Sequence, residues 1–332
     1  MEINSDTKIS VLGYGSWATA LVCVLTSNGH SVTWHIRNSD ILESITNEGR
    51  NCKYLPDIHL DTSLITASDD INAVVKAGEF IVMAMPSAYI ADYLAPLKVS
   101  LRNKFILSAV KGIVPGENCS VTEYLRGCHG VSFDNIGVIC GPSHAEEVSL
   151  GRLPYLSVAC LDNGKVQAIS DLFSSPVLKV HRSPDIFGIE YAAILKNIYA
   201  IAAGMATGLG YGDNFLSILV ASCCDEMPRY LTAAHAADHA EQRRNYLADL
   251  LVTCYSPYSR NRRLGQLIGK GCSVKSALNE MTMVAEGYFA AAGMHGAGHQ
   301  AGLEMPIMEM VWSVLYGGAR ARTAMKHLSE KL

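Results

Sequence analysis

The sequence predicts an α/β domain built on a doubly wound sheet, followed by an all-α domain. Three observations favour this fold class. Short apolar strand patterns alternate with helical patterns over roughly the first half of the chain. A glycine-rich turn, Gly13-Tyr14-Gly15, separates the first predicted strand from the first predicted helix. From Pro184 onward helical patterns dominate and strand patterns vanish, so we expect two domains, residues 1–183 and 184–332.

Composition limits the class of protein. The chain has 332 residues, 49% of them hydrophobic, which can supply the cores of two domains. A net charge of -4 argues against a general binder of nucleic acid or of membrane surfaces. The ten cysteines show no C-x-x-C pair and no metal-ligand spacing, and no secretory signal peptide is evident. We therefore expect reduced thiols, no metal site and a cytoplasmic location.

The first strand and helix frame a nucleotide-binding signature. The strand Lys8–Leu12 runs directly into the turn, and the helical run Thr19–Leu25 follows it. This is the G-x-G-x-x-G/A arrangement in its strand, turn and helix context. Gly13 permits the tight turn, Gly15 lets a pyrophosphate approach the backbone, and Ala18 packs the helix against the strand. The pattern predicts a Rossmann-type domain whose helix N-terminus holds the phosphates.

The end of the second strand bears on the choice of cofactor. This strand begins after Gly29, and its end reads His35-Ile36-Arg37-Asn38. It has no Asp or Glu to bind the ribose 2′-hydroxyl of NAD, whereas Arg37 could contact the 2′-phosphate of NADP. A solvated surface charge is the alternative interpretation of Arg37. The sequence therefore leaves both NAD and NADP open.

Two further strand ends carry residues suited to a ligand. Lys111 follows the predicted strand Phe105–Val110, and Gly141 to Ala145 follow the strand Ile136–Cys140. Ligands of such sheets lie at the carboxyl ends of strands, where the second segment could present backbone N–H groups to an anion. A surface lysine and an ordinary turn are the alternatives. The other predicted elements are the helix Asp70–Ala77 and the strands Glu79–Met85 and Leu156–Leu161.

The long helix predicted after Ser183 carries the most informative lysine. Ser183 can cap this helix, Pro184 suits its first position, and the glycines from Gly204 onward offer places to stop. The helix is apolar nearly all round, which predicts burial. Lys196 lies within it, and desolvation lowers the pKa of an ammonium toward values useful for proton exchange. Lys196 is therefore a candidate acid/base, the alternative being a side chain that snorkels to water.

Three other segments of the second half bear on its function. The apolar run 198–206 is far short of the roughly 20 residues of a membrane span, so none is expected. The run Ser259-Arg260-Asn261-Arg262-Arg263 can bind a phosphate through its guanidinium groups, with a basic surface turn or a nucleic-acid contact as the alternatives. The polar run 235–245 predicts a solvated helix face or loop.

Together these segments resemble the bacterial-type NAD(P)-dependent glycerol-3-phosphate dehydrogenases. The resemblance spans most of the chain and rests on several short motifs that occur in the family's order. These motifs are V-L-G-Y-G-S-W-A-T-A-L near the start, K-Y-L-P from Lys53, K-G from Lys111, G-P-S-H-A-E-E-V from Gly141, L-K-N-I-Y-A-I-A-A-G from Leu195, G-D-N from Gly212, S-R-N-R-R from Ser259, E-G from Glu286 and E-M-P-I from Glu304. It implies a 6-phosphogluconate-dehydrogenase-like pair of domains. It also implies a cytoplasmic homodimer that interconverts dihydroxyacetone phosphate and sn-glycerol 3-phosphate and supplies glycerophospholipid synthesis.

The resemblance also implies roles for individual residues. Lys196 matches the proton-transferring residue of the family. The implied substrate contacts are Lys111, Gly141, Ser143, Asp249, Ser259, Arg260 and Asn261. The implied cofactor contacts, besides Gly13 and Gly15 of the turn, are Ser16, Trp17, Arg37, Tyr54, Lys111, Ala145, Arg260, Val284 and Glu286.

The sequence departs from the family pattern at three places. Ala18 replaces the commoner third glycine, and His144 stands where the family usually has phenylalanine. Tyr246-Leu247-Ala248-Asp249-Leu250 replaces G-L-G-D-L and loses both glycines. Two other functions remain open from the residues: another two-domain dehydrogenase of the hydroxyacid or 6-phosphogluconate type, or a non-catalytic dinucleotide sensor.

Overall fold

The computed structural model describes residues 3–4, 6–234, 243–300 and 302–332. Most of the polar run 235–245 therefore lies outside the described residues. The chain forms two compact units. The first extends to Val110 and resumes over Val121–Ile186, and the second comprises Lys111–Ser120 and Phe187–Leu332. The segment Lys111–Ser120 thus belongs to the second unit although both of its neighbours along the chain belong to the first. The domain boundary expected at residues 183/184 stays a prediction.

The first unit is organised around an eight-stranded sheet. Its strands are β1 (Ile9–Leu12), β2 (Val32–His35), β3 (Ile65–Ser68), β4 (Phe80–Met83), β5 (Phe105–Ser108), β8 (Ile136–Cys140), β9 (Tyr155–Cys160) and β10 (Lys179–Ser183). Their order is β10-β9-β8-β5-β4-β1-β2-β3. Every neighbouring pair is parallel except β8 with β9, which is antiparallel.

Helices connect these strands, as expected for crossovers between parallel strands. They are α1 (Ser16–Ser27), α2 (Ser39–Glu48), α3 (Ile71–Ala77), α4 (Ile90–Leu94), α5 (Val121–His129), α6 (Ala145–Ser149) and α7 (Asn163–Phe173). Side chains cap several of them. The carboxylate of Asp70 accepts from two backbone N–H groups at the start of α3, and that of Asp162 does the same for α7. Such caps satisfy amides that lack partners within the helix.

Strand order explains where a ligand would bind. From β1 the chain continues to β2 and β3 on one side and to β4, β5 and β8 on the other. The direction in which successive strands are added to the sheet therefore reverses between β1 and β4. Ligands of open α/β sheets bind at the carboxyl ends of the strands at such a switch point. The turn after β1 lies there. The prediction of a Rossmann-type doubly wound sheet is confirmed.

The second unit contains a short hairpin and eight helices among its described residues. The hairpin is β6 (Ile113–Val114) with β7 (Cys119–Ser120). The helices are α8 (Ile186–Leu209), α9 (Asp213–Ala234), α10 (Arg243–Tyr255), α11 (Arg260–Gly269), α12 (Val274–Glu280), α13 (Glu286–Gln300), α14 (Pro306–Leu315) and α15 (Ala321–Ser329). The prediction of a helical second half is confirmed.

Helix α8 is the core of the second unit. By length and composition it is the one described helix that could cross a membrane, but 94% of its apolar window is buried inside the fold. That burial is typical of the central helix of a globular domain. The backbone N–H of Asp185 donates to Ser183 Oγ over 3.0 Å just before the helix. The helix then continues through Gly204 and Gly208 to Leu209, and Gly210, with φ of +90°, ends it.

A buried carboxylate fixes the start of α14. Glu226 on α9 is 1% exposed, and its oxygens accept from the backbone N–H of Ile307 over 2.8 Å and of Met308 over 3.1 Å. These are first-turn amides of α14, which a negative charge satisfies well. Burial nevertheless dominates and raises the pKa of the Glu226 carboxyl to about 7. The burial of this carboxyl therefore makes the stability of this unit depend on pH.

Candidate active site

The turn after β1 has the geometry that a dinucleotide-binding glycine requires. Gly13 has φ of +112°, and a Cβ at this position would lie 2.3 Å from the carbonyl oxygen of Ala84, just beyond β4. Only glycine fits such a close approach without strain. The carbonyl of Gly13 accepts from Trp34 Nε1 over 2.6 Å. Gly13 therefore adopts a conformation that suits a tight turn, and its role in cofactor binding stays a prediction.

The next part of the turn leaves room for a phosphate. Gly15 is the N-cap of α1, and apart from its chain neighbours no heavy atom of the described residues lies within 4 Å of the place where its Cβ would be. No side chain caps this helix, and its first turn, which begins with Ser16 and Trp17, contains no acidic residue. Uncapped amides and the positive end of the helix dipole suit an anion. The turn therefore fits the pyrophosphate of a dinucleotide.

A buried asparagine that sequence reasoning missed supports this turn. Asn51 is fully buried, and its Nδ2 donates to the carbonyl of Tyr14 and to Thr19 Oγ1, each over 2.9 Å. Its Oδ1 accepts from the backbone N–H of Tyr54 over 3.0 Å. Asn51 therefore joins the phosphate turn to the predicted cofactor contact Tyr54. Only its position two residues before K-Y-L-P could have suggested this role.

Arg37 is exposed after the end of β2, as its predicted role requires. Its guanidinium carbon lies 5.4 Å from the centre of the Tyr93 ring. The adjacent Asn38 is occupied as the N-cap of α2, where its side chain accepts from the Ile41 N–H over 3.1 Å. Lys53 Nζ lies 2.8 Å from the Asp40 carboxylate. Of these groups, Arg37 is the cation whose position suits a ribose 2′-phosphate.

The segment after β8 adopts a turn that glycine permits. Gly141 has φ of +133°, and a Cβ there would lie 2.6 Å from the carbonyl oxygen of Tyr155. Ser143 Oγ donates to the Gly141 carbonyl over 3.1 Å. Ala145 follows as the first residue of the short helix α6 and is buried. The roles of these residues in ligand binding stay predictions.

In the second unit, Lys196 on α8 is paired with Asp249 on α10. Lys196 Nζ donates to Asp249 Oδ1, and the two residues are only 4% and 5% exposed. The lysine therefore does not snorkel to water. A buried ammonium is tolerated where a carboxylate compensates its charge. Asp249 is held in turn within its helix, because Thr253 Oγ1 donates to its backbone carbonyl over 2.6 Å.

A chain of hydrogen bonds runs beside this pair. Asn197 Nδ2 donates to the backbone carbonyl of Lys111 over 2.8 Å, and Asn197 Oδ1 accepts from Asn261 Nδ2 over 2.8 Å. Asn261 Oδ1 then accepts from the backbone N–H of Gly287 over 2.9 Å. Asn197 and Asn261 are buried. The chain links the segment before β6, helix α8 and the first turns of α11 and α13, which carry the predicted residues Lys111, Asn261 and Glu286.

Glycines bring α8 and α11 into direct backbone contact. A Cβ on Gly204 would lie 2.0 Å from the Arg262 carbonyl oxygen, and one on Gly265 would lie 2.0 Å from the Ile201 carbonyl oxygen. One turn further along each helix, Gly208 and Gly269 repeat the arrangement with values of 2.4 Å. Small residues spaced four apart allow such close crossings. The crossing fixes the start of α11, and hence Asn261, against α8.

The arginine-rich run does not act as one cluster. Ser259 is the N-cap of α11 and accepts from the Arg262 N–H over 3.3 Å. Arg260 and Arg263 are exposed, and Arg263 lies 4.0 Å from Glu280. The backbone of Arg262 forms the helix crossing described above. Arg260 is therefore the arginine of this run that remains best placed to contact a ligand beside Asn261.

The remaining predicted contacts lie at the start of α13. Glu286 is its first residue and is half-buried, as is Val284 two residues earlier. No group of three or more metal-binding side chains occurs within the described ranges.

The first unit thus has a turn that fits a dinucleotide, and the second has a buried lysine–carboxylate pair surrounded by oriented amides. This combination defines a dinucleotide-dependent dehydrogenase of the two-domain class. The family model described as the N-terminus of NAD-dependent glycerol-3-phosphate dehydrogenase matches residues 8–166, and the model of its C-terminus matches residues 185–326. The chain belongs to this family, as the motifs predicted.

Individual relatives agree along nearly the whole chain. A glycerol-3-phosphate dehydrogenase [NAD(P)+] of Moorella thermoacetica is 35% identical over 98% of this chain and 96% of its own length. A protein of the same name from Geobacillus kaustophilus is 36% identical over 97% of this chain and 94% of its own. The crystal structure of glycerol-3-phosphate dehydrogenase from Coxiella burnetii matches with a TM-score of 0.89 and 27% identity, covering 98% of this chain and all of that one.

Proposed function

We propose that the chain is an NAD(P)-dependent oxidoreductase that reversibly interconverts dihydroxyacetone phosphate and sn-glycerol 3-phosphate. The observation that carries the proposal is the buried ion pair of Lys196 and Asp249 in a chain whose relatives bear the name of this activity. A sensor of dinucleotides would need no buried ammonium in a second unit. When bound, NAD(P)H would supply the hydride for the ketone carbon.

Lys196 handles the proton in this proposal. Reduction of the ketone places negative charge on the carbonyl oxygen, and a preorganised cation stabilises that charge. Lys196 Nζ gives its proton to this oxygen in reduction and takes one from the alcohol in oxidation. Asp249 orients the ammonium through its hydrogen bond and compensates its charge while the site is buried. Lys111 adds positive potential from the segment that Asn197 holds.

The phosphate is bound at the start of α11 in this proposal. Arg260 is exposed there, and the buried Asn261 and the N-cap Ser259 flank it. A guanidinium binds phosphate oxygens through two parallel hydrogen bonds. Binding energy gained at the phosphate then positions the carbonyl for reaction. Gly141 and Ser143 are proposed as further substrate contacts because they match the family motif after β8.

The cofactor is proposed to lie on the first unit. The turn that includes Gly13, Gly15, Ser16 and Trp17 meets the pyrophosphate, and Arg37 meets the adenosine ribose. Because β2 ends without an acidic residue, Arg37 favours acceptance of NADPH besides NADH. The further proposed contacts, taken from the family pattern, are Tyr54, Lys111, Ala145, Arg260, Val284 and Glu286.

The cellular setting belongs to the same proposal. The product sn-glycerol 3-phosphate would supply glycerophospholipid synthesis, and a homodimer in the cytoplasm is the expected form. The family resemblance of the sequence supports these points. Gel filtration with light scattering would measure the assembly directly.

A substrate panel tests the activity. Purified protein is mixed with NADH or NADPH and, in separate reactions, dihydroxyacetone phosphate, a 2-oxo acid or an unphosphorylated ketone, while the absorbance of the reduced nicotinamide is followed. The oxidative direction is tested with sn-glycerol 3-phosphate and 6-phosphogluconate. We expect turnover only with the triose phosphate and its product. Preference for an oxo acid or for 6-phosphogluconate would favour another dehydrogenase of this class, and binding without any turnover would favour a sensor.

Lys196→Arg tests the proton transfer. Arginine keeps the positive charge beside Asp249 but does not lose its proton at accessible pH, whereas Lys196→Ala would remove the positive charge beside a buried carboxylate and destabilise the fold. We expect kcat to fall by about two to four orders of magnitude, the range of general acid catalysis, while NADH still binds. Lys275→Ala, an exposed lysine of α12, is the control and should keep wild-type activity. Near-normal kcat in Lys196→Arg would refute the assignment.

A further inference from the structure

A buried tyrosine outside the predicted site contacts the phosphate turn. Tyr93 on α4 is 4% exposed, and its hydroxyl oxygen accepts from the backbone N–H of Gly13 over 2.9 Å. The carbonyl of the same glycine accepts from Trp34 Nε1. Two side chains therefore bind both polar backbone groups of Gly13. Because the Gly13 N–H is occupied, the amides left for a phosphate are those that follow it.

A histidine fixes the direction of the Tyr93 hydroxyl. His35 Nε2 lies 3.1 Å from the backbone carbonyl of Asp69, and a carbonyl can only accept. Nε2 therefore carries the proton, and Nδ1 accepts from the Tyr93 hydroxyl. With its proton directed to His35, the oxygen of Tyr93 presents a lone pair to Gly13. Burial lowers the pKa of His35, which favours the neutral ring that this arrangement requires.

The ring of the same tyrosine faces the other end of the proposed cofactor site. The Arg37 guanidinium carbon lies 5.4 Å from the ring centre, a distance at which a cation is attracted to an aromatic face. Arg37 is exposed and otherwise free to adopt many rotamers, so a supporting surface limits its positions. One side chain therefore contacts both the glycine at the pyrophosphate and the cation at the ribose.

We propose that Tyr93 is a positioning residue for the dinucleotide, its hydroxyl holding Gly13 in the phosphate turn and its ring supporting Arg37 for the adenosine ribose. The inference rests on the proposed function, because it assumes that the first unit binds NAD(P). Tyr93 touches neither the cofactor nor the reacting atoms in this account. It acts through Gly13 and Arg37, whose geometry it sets before binding.

Two substitutions separate the two contacts. Tyr93→Phe removes the hydroxyl and keeps the ring, so Gly13 loses its partner while Arg37 keeps its support. Tyr93→Leu removes both. Tyr89→Phe is the matched control, because Tyr89 is the N-cap residue of the same helix and is 49% exposed. Dissociation constants for NADH and NADPH are measured by nicotinamide fluorescence, with no substrate present.

The expected results differ between the variants. Tyr93→Phe should weaken the binding of both dinucleotides by about five- to thirtyfold, the effect of leaving a buried N–H without its partner. Tyr93→Leu should weaken the binding of NADPH, relative to that of NADH, by a further factor of about two to five, the range of an exposed cation–π contact. In turnover assays of Tyr93→Phe, KM for the dinucleotide should rise while kcat at saturation stays near wild type. A merely structural defect would not change the ratio of NADPH to NADH affinity.

The outcomes also separate this inference from the proposed function. If the wild type binds neither dinucleotide, both are overturned. If the wild type binds and Tyr93→Phe stays within about twofold of it, or if Tyr93→Leu affects NADH and NADPH equally, the positioning role is overturned and the proposed function stands. If a variant fails to fold, amide hydrogen exchange measured on the wild type tests the inference instead. The Gly13 N–H should exchange much more slowly than the Gly15 N–H, and equal rates would overturn the inference.

Discussion

The crossing of α8 and α11 makes Gly265→Ala a direct test of how the site is assembled. Gly265 contacts the Ile201 carbonyl oxygen, and the new Cβ would lie only 2.0 Å from it. An ordinary contact begins at 3.4 Å, so the two helices would have to separate locally by about 1.4 Å. The obstacle is a backbone carbonyl within a buried helix, which cannot turn aside as a flexible side chain could.

Two opposing effects set the size of the change in stability. Overpacking of a well-filled interior costs about 1–3 kcal/mol, and the upper end applies here because backbone must move. Replacing glycine by alanine within a helix stabilises the helix by about 1 kcal/mol. We therefore expect a net loss of roughly 2 kcal/mol in the free energy of unfolding. The same shift would move Asn261 away from Asn197, which it contacts over 2.8 Å.

The effect on activity should exceed the effect on stability. A misplacement of about 1 Å between catalytic groups and a bound substrate can lower the rate by about a hundredfold. Urea unfolding measures the stability, and steady-state kinetics with dihydroxyacetone phosphate measures kcat/KM. Gly296→Ala is the control, because Gly296 lies within α13 and, outside its own helix backbone, no heavy atom of the described part of the chain lies within 4 Å of its Cβ position. It should raise stability by about 1 kcal/mol or less. A Gly265→Ala protein with wild-type stability and kcat/KM would refute the reasoning.

Two further predictions concern charged groups of the second unit. The pKa of Glu226 is raised in the folded protein from 4.5 to about 7, so the unfolding free energy of the wild type should fall by up to about 3 kcal/mol as the pH rises from 4.5 to 7. Glu226→Gln should flatten this dependence on pH, whereas the exposed Glu280→Gln should not. Unfolding curves at several pH values measure this, and an unchanged slope would contradict the burial of an ionisable carboxyl. Arg260→Ala should raise KM for the phosphorylated substrate by about 10- to 100-fold, the effect of losing hydrogen bonds to a charged group, and Arg322→Ala should leave it unchanged. An unaffected KM would place the phosphate elsewhere.

The strands of the sheet could be predicted from the sequence wherever they are buried along their whole length. The central strands β1, β4, β5 and β8 are buried at every position and read as continuous apolar runs. The strands β3 and β10 were missed. They lie at the two edges of the sheet, and residues such as Thr66, Lys179 and Arg182 interrupt any apolar pattern. Backbone hydrogen bonds to a neighbouring strand stabilise such edge strands, and the pattern of their side chains does not reveal these hydrogen bonds.

The candidate site was predicted unevenly for a similar reason. Motifs led to the prediction of Gly13, Lys196 and Asn261 because each of these residues lies within a short, distinctive segment. The supporting contacts of Asn51 and Tyr93 join positions far apart in the chain, and each residue taken alone is unremarkable. Gly204 illustrates the limit most clearly. A glycine in a helical pattern resembles a stop signal until the partner helix that requires it is known.

The segment around Asp249 shows why losing two family glycines need not weaken the site. The residues Tyr246 and Leu250 are one turn apart on α10 and are both buried, at 7% and 1% exposure. They anchor the face of the helix next to the carboxylate. Residues with side chains also favour a helix by up to about 1 kcal/mol each over glycine. A rigid helix that presents Asp249 to Lys196 limits the freedom of the carboxylate more than a glycine-rich segment would, so the departure from the family pattern favours a preorganised ion pair.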